Sequence, residues 1–132
     1  MTTFTEFADS LAGVELASVT TELDGIPKTL TAAQLPALWC DLPSGVVVPD
    51  GPYGTATTSG VTFTAKMYIA AAKVAEALPD TQRTLLLTLA EEVRAWAESL
   101  TYTAEIETKE RIPVGGEEFR GVTAVITFND ME

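Results

Sequence analysis

The clearest pattern of hydrophobic and polar positions in the chain is a strict alternation that begins at Val61. Five apolar positions alternate with four polar ones: Val61, Phe63, Ala65, Met67 and Ile69 against Thr62, Thr64, Lys66 and Tyr68. Successive side chains of a strand point to opposite faces of a sheet. The alternation therefore predicts a strand with one buried face, and the alanine-rich residues that follow extend it to about Lys73.

A helical period marks the beginning of the chain. Thr3 and Glu6 have the spacing of a capping box, and apolar residues then recur at helical intervals through Leu11. The pattern predicts a short amphipathic helix over Thr3–Ala12, with Gly13 in the left-handed conformation that commonly ends a helix.

A second, longer helix is predicted to begin after Pro79, with Asp80 as its N-cap. Its buried stripe is expected to contain Leu85, Leu86, Leu89, Val93, Trp96 and Leu100. Arg94 has the spacing to pair with Glu91 and Glu98 on the solvent side of this helix.

The remaining patterns predict strands and the segments that connect them. Strands are expected at Val14–Leu23, Ala37–Leu42, Thr101–Ile112 and Phe119–Phe128, with a helical turn possible in Thr29–Gln34. The Gly115-Gly116 pair in Pro113–Glu118 is typical of a tight hairpin turn. Pro43–Gly60 is rich in Gly, Pro, Ser and Thr and is interpreted as a long loop.

The order of elements predicts an α+β fold formed by one domain over residues 1–132. We expect a mixed or antiparallel sheet of about four to five strands, with the short N-terminal helix and the one long helix packed on one face.

Composition narrows the possible functions. The net charge is −11, from 19 acidic and 8 basic residues, and nucleic-acid binding needs clustered cations. The chain contains no histidine, which removes the commonest general base and metal ligand. No apolar run has the length of a membrane span, and Met1 leads directly into polar residues. We expect a cytoplasmic, soluble protein that is not an enzyme and needs no cofactor.

Cys40 is the only cysteine, so no disulfide can form within the chain. A nucleophilic thiol needs a base or a positive environment, whereas the neighbour here is Asp41. Since Cys40 shares a predicted strand face with Leu38 and Leu42, we interpret it as a core residue.

The acidic pairs Glu91-Glu92 and Glu117-Glu118, and the alternating Glu105 and Glu107, match no metal-binding loop. They are interpreted as solvent-facing residues. The segment "PVGGEEFRG" lacks the lysine and the strand-to-helix setting of a phosphate-binding loop.

The order of motifs resembles a known family. Leu35-Pro36-Ala37-Leu38 opens a strand, a long Gly/Pro loop and a long strand follow, and then comes "LPDTQRTLLLTLAEEVRAWAESL". The chain ends in a hairpin with "FRGVTAVITF". Across most of its length the chain resembles the small tail terminator, or tail completion, proteins of long-tailed bacteriophages.

The resemblance implies a structural virion protein in the tail or neck, assembled in the host cytoplasm. Such a protein forms a hexameric ring that caps the tail tube, ends its polymerisation and joins the tail to the head connector. Its expected partners are other copies of itself, the major tail tube protein and a neck protein. DNA would pass through the lumen without specific binding, which agrees with an acidic chain.

The candidate residues belong to two surfaces. Trp39 and Tyr68 lie opposite the more apolar sides of their strands and are predicted interface anchors. The resemblance adds contacts from the long loop and the hairpin turn, and the full candidate interface is Trp39, Pro49, Tyr53, Tyr68, Glu117 and Phe119. Glu105 and Glu107 form the candidate acidic lumen face.

Two alternatives remain open. The chain could be a head-closure or neck connector protein of the same virion. From a different class, it could be a small acidic binding or inhibitor protein, which would be a stable monomer with clustered carboxylates.

Overall fold

The computed structural model describes residues 3–23, 25–48, 60–74 and 80–131. In chain order, the helices and strands are α1 (Phe4–Ala12), β1 (Thr21–Glu22), a 3-10 turn (Ala32–Gln34), β2 (Ala37–Cys40), β3 (Ser44–Val48), β4 (Gly60–Lys73), α2 (Asp80–Ser99), β5 (Thr103–Val114) and β6 (Glu117–Met131).

The strands form one mixed sheet in the order β1–β2–β4–β6–β5. β1 and β2 are parallel, whereas the other pairs are antiparallel. β6 pairs along the whole of β4, so β2 and β3 share the other edge of β4, with β3 beside Gly60–Thr64. The α+β prediction is confirmed, and the sheet has six described strands where four to five were expected.

The additional strand is β3, which occupies the start of the segment predicted to be a loop. Ser44–Val48 pairs with the part of β4 that β2 does not reach. β-branched valines favour extended backbone, and an unpaired stretch of a long strand offers them a partner. The predicted loop is therefore wrong for residues 44–48, and its remainder up to residue 59 lies outside the described residues. The predicted strand Val14–Leu23 is also mostly wrong, because only Thr21–Glu22 pairs with the sheet.

Both helices cover the same face of the sheet, as predicted. Phe7 and Leu11 of α1 and Leu89 and Val93 of α2 pack in the main hydrophobic core. The sheet contributes side chains that alternate along its strands, among them Phe63, Ala65, Met67, Ile69, Val122, Ala124 and Ile126. The alternation from Val61 thus identified the face of the sheet that the two helices cover.

Helix α1 begins where its cap predicts. The Thr3 hydroxyl accepts a hydrogen bond from the Glu6 backbone N–H at 3.1 Å. Gly13 follows the helix with φ −98°, so the expected left-handed conformation is wrong. Its N–H nevertheless closes the helix on the Asp9 carbonyl at 2.9 Å.

In α2, the predicted buried stripe is confirmed at Leu86, Leu89 and Val93, and Leu85 and Trp96 are partly buried. Leu100 is exposed because the helix ends at Ser99 and the chain turns at Thr101, whose φ is +59°. The predicted pairs of Arg94 with Glu91 and Glu98 are both present.

The sheet bends at Gly121, where both neighbouring strands change register. β4 skips a residue between Ala70 and Ala72, and β5 does so between Lys109 and Ile112. A Cβ on Gly121 would lie 1.8 Å from the Ile69 carbonyl oxygen, so only glycine permits this approach. Bulges of this kind increase local twist and bend a strand. The second face of the sheet has two halves that differ in what covers them.

One half of the second face, termed the covered half, carries a second hydrophobic cluster. Its buried members are Leu30, Ala37, Trp39, Ala70, Ile112, Val114 and Phe119. The connector of residues 25–36 contributes Leu30 and Leu35 to this cluster. The β5–β6 turn also meets the connector, because a Cβ on Gly115 would lie 2.0 Å from the Lys28 carbonyl oxygen.

The other half, termed the open half, is rich in threonine. Thr64 of β4, Thr127 of β6 and Thr103 of β5 lie in one row across the strands, and Ser44 of β3 extends it. These residues are partly or fully exposed.

Candidate interaction surfaces

Two of the predicted interface residues lie inside the protein. Trp39 is 2% exposed and Phe119 is 1% exposed, and both belong to the cluster of the covered half. Trp39 stacks on Tyr68 with ring centroids 5.6 Å apart and planes inclined by 14°. The side chains of Trp39 and Phe119 therefore stabilise the fold and offer no exposed surface to a partner, which corrects the prediction for these two residues.

Tyr68 lies at the border of the covered half and remains partly accessible. Its hydroxyl donates a hydrogen bond to the Asp41 carboxylate at 3.2 Å. Partial burial, followed by the nearby Asp41 charge, raises the pKa of Tyr68. A phenol held in this way keeps its proton and acts as a hydrogen-bond donor.

The remaining predicted interface residues are Glu117, Pro49 and Tyr53. Glu117 is exposed at the hairpin end of β6, and its carboxylate pairs with Lys73 at 3.2 Å. Pro49 and Tyr53 lie outside the described residues.

The two residues of the predicted acidic lumen face, Glu105 and Glu107, are exposed on the same face of β5. The Glu107 carboxylate pairs with the Lys109 ammonium at 2.6 Å, and this hydrogen bond lowers the pKa of Glu107. The stripe is therefore partly neutralised by a cation from its own strand.

Cys40 packs against the main core, as expected, and burial followed by the neighbouring Asp41 raises the pKa of its thiol to about 12. It contributes to a cleft of about 400 Å³ between α1 and the β2 edge, together with Asp9, Glu22 and Asp41. A protonated thiol beside carboxylates is a poor nucleophile. The expected partner on its strand face, Leu42, is 94% exposed because β2 ends at Cys40.

The acidic pair Glu91-Glu92 is divided between two contacts. Glu91 pairs with Arg94, whereas Glu92 accepts hydrogen bonds from the Ser18 backbone N–H at 2.8 Å and from the Ser18 hydroxyl at 2.5 Å. In the described part of the chain, no group of three or more Cys, Asp and Glu side chains is arranged to hold a metal ion.

The β3 edge and the β5 edge of the sheet differ in chemistry. β3 pairs only with β4 and β5 pairs only with β6 among the described strands. β5 carries five charged residues and Pro113, a composition that disfavours unspecific strand pairing. β3 is apolar: Val46 is 61% exposed, and Leu42 lies just before the strand. Sequence reasoning missed this apolar edge, although the valine run inside the supposed loop was a signal for a strand.

None of the described helices is long and apolar enough to span a membrane. No family model matches the chain, and no curated protein matches it.

Proposed function

We propose that this chain is a structural protein of a long-tailed bacteriophage, which closes the end of the tail tube as a hexameric ring and joins it to the head connector. The proposal begins from the resemblance in the order and length of the elements. It assigns the protein an assembly function and no catalytic one.

The observation that best supports a ring is the pair of unlike edges on one sheet. The apolar β3 edge and the charged β5 edge lie on opposite sides of the sheet. A contact between two different surfaces of the same chain is heterologous, and repetition of such a contact generates rings when the rotation closes. A self-complementary patch would instead favour a dimer.

Net charge supports the passage of DNA through such a ring. Each copy carries a net charge of −11, and like charge repels the phosphate backbone. Because Lys109 partly neutralises the Glu105–Glu107 stripe, the total charge of the chain carries this argument better than the stripe does.

The test is assembly in the presence of the tail tube protein, measured by mass photometry and by electron microscopy of tube ends. Val46→Lys places a charge on the exposed β3 edge and is expected to leave the monomer folded but to abolish ring formation. Ile26→Lys is the matched control, since Ile26 is 72% exposed in the connector and belongs to neither edge strand.

A wild-type chain that stays monomeric with the tube protein would contradict the proposal. Rings that bind the head side of the neck but not the tube would favour the connector alternative. The acidic-inhibitor alternative instead predicts a monomer that binds a basic protein. It gains little support from carboxylates such as Glu98, Glu107 and Glu118, which are paired with cations of their own chain.

A further inference from the structure

The edge of β2 that faces away from β4 is paired over only part of its length. β1 pairs with the first two residues of β2, and no other described strand lies beside the residues that follow on that side. The Leu38 carbonyl accepts the Leu23 N–H at 2.8 Å, on the β1 side. The Asp41 N–H donates to the Lys66 carbonyl of β4 at 2.9 Å. Because successive residues of a strand direct their backbone groups to alternate sides, the N–H and C=O of Cys40 point to the unpaired side.

The unpaired part of this edge borders the cleft of about 400 Å³ between α1 and β2, which we term the edge cleft. Its lining is mostly apolar and includes Leu11 at the end of α1, Leu23 after β1 and Leu38 of β2. Leu42 also lines the cleft and is 94% exposed. A groove beside an unpaired strand edge suits an extended segment, because the segment can pair with the strand and place alternate side chains in the groove.

Three carboxylates complete the lining of the edge cleft: Asp9 of α1, Glu22 of β1 and Asp41 after β2. None of the eight Lys and Arg side chains lines the cleft. Within the described part of the chain, no ion pair joins a cation to any of the three carboxylates. Asp41 accepts a hydrogen bond from the Tyr68 hydroxyl, which is a neutral donor. The cations of the chain therefore leave the negative charge of the cleft uncompensated.

We infer that the edge cleft binds an extended segment of a basic partner protein, with one Lys or Arg side chain between apolar residues. The backbone of the segment would pair with the outward N–H and C=O of Cys40. Its apolar side chains would cover Leu42, and the methylene stem of the basic residue would lie on the apolar lining. The cationic head would then reach the carboxylates and form charge-assisted hydrogen bonds with them.

A second copy of the chain is a poor source of this segment. Of the described strands with a free edge, only β5 carries cations. Lys109 already pairs with Glu107, and Arg111 already pairs with Glu118. The partner is therefore a different protein. The inference does not rest on the ring proposal, because it concerns the edge of β2 and not the edges of β3 and β5.

The experiment is a titration of the uniformly ¹⁵N-labelled chain with the capped peptide acetyl-Thr-Leu-Arg-Leu-Thr-amide. The comparison peptide carries citrulline in place of arginine, which keeps the shape of the side chain but removes its charge. We expect saturable shifts of the backbone amides around Asp9, Glu22 and Cys40, and slower hydrogen exchange of the Cys40 amide. The arginine peptide should bind about tenfold more tightly than the citrulline peptide.

The Asp9→Asn, Glu22→Gln double variant changes two exposed side chains of the cleft. It should bind the arginine peptide about tenfold more weakly and the citrulline peptide as the wild type does. The matched control is Glu6→Gln, Glu105→Gln, which changes the net charge equally at two exposed positions outside the cleft. Equal thermal midpoints for the two double variants establish that both are folded, and the comparison of the two peptides on the wild type needs no variant.

The inference is overturned if neither peptide gives saturable shifts, if both peptides bind the wild type equally, or if the two double variants bind the arginine peptide equally. Self-association of the chain that is lost in the cleft variant but kept in the control would identify a second copy as the occupant, and would also overturn it. Since the ring test uses Val46→Lys and the tail tube protein, the failure of either proposal is distinguishable from the failure of the other.

Discussion

The two halves of the second sheet face have the same backbone architecture but opposite surroundings. The covered half packs Trp39, Ile112 and Phe119 beneath the connector, whereas the open half presents hydroxyl side chains such as Thr64 and Thr127 to solvent. The same strands β4, β5 and β6 run through both halves. Burial on this face therefore depends on the segment that crosses it, and not on the strands themselves.

The largest expected effect is on the covered half. Phe119→Ala should lower the free energy of unfolding by about 4 kcal/mol, because it removes a fully buried ring and leaves a cavity. Urea denaturation of the purified chain measures the change. Leu42→Ala is the control and should cost almost nothing, since Leu42 is 94% exposed. A cost below about 1 kcal/mol for Phe119→Ala would mean that the covered half is not a core.

The next effect concerns the close approach of β6 to β4 at Gly121. Gly121→Ala should destabilise the protein by about 2 kcal/mol, since its methyl group would overlap the Ile69 carbonyl and crowd Ile112. Gly25→Ala is the control, because a Cβ there meets no atom within 4 Å. Equal melting temperatures for the two variants would contradict the close approach at the bend.

A smaller effect is expected from Cys40 on the helix-covered face. The folded-state pKa of the Cys40 thiol, about 12, lies above the ordinary thiol value of 9.0 because of burial and the neighbouring Asp41, so the unfolded chain releases the proton first as the pH rises. The stabilising contribution is complete below pH 9 and is lost as the pH rises through the folded pKa of about 12. Relative to pH 8, the loss should reach about 1 kcal/mol at pH 10.

The measurement compares the pH dependence of unfolding free energy for the wild type and Cys40→Ala. The difference between their slopes isolates the thiol from other groups that titrate in the same range. Parallel curves between pH 8 and 10 would show that the thiol titrates alike in both states.

The smallest effect is expected on the open half. Thr127→Val exchanges one hydroxyl for a methyl group of similar volume, and the unfolding free energy should change by less than about 0.5 kcal/mol. Chemical denaturation is again the measurement. A stabilisation above about 1 kcal/mol would indicate that this half is dry, as the covered half is.

Much of the fold followed from local patterns. The Thr3 cap, the alternation from Val61, the hairpin turn at Gly115-Gly116 and the Arg94 pairs were all predicted and are present. All of these features depend on residues that are close to one another in sequence. The predictions were wrong where the conformation or burial of a residue depends on a segment that is distant in sequence. β3 forms because β4 offers it an unpaired edge, and Trp39 is buried because the connector crosses it.

The candidate surfaces were less predictable than the fold. Periodicity placed Trp39 and Tyr68 on the side of the sheet opposite the helices, which is correct, but it carried no information on what covers that side. The prediction that Trp39 is exposed to a partner was therefore wrong. Glu105 and Glu107 were correctly placed on an exposed strand face, although the charge pairing with Lys109 depends on side-chain conformation.

The sequence by itself determined the α+β class, the helix-covered face of the sheet and the inward position of Cys40, because these follow from side-chain periods along a strand or helix. Tertiary structure alone decided the bend at Gly121, the covering of one half of the second face and the meeting of Asp9, Glu22 and Asp41 at the edge cleft. The three carboxylates lie in separate segments of the chain. They converge because the position of α1 and the parallel pairing of β1 with β2 bring distant residues to one place.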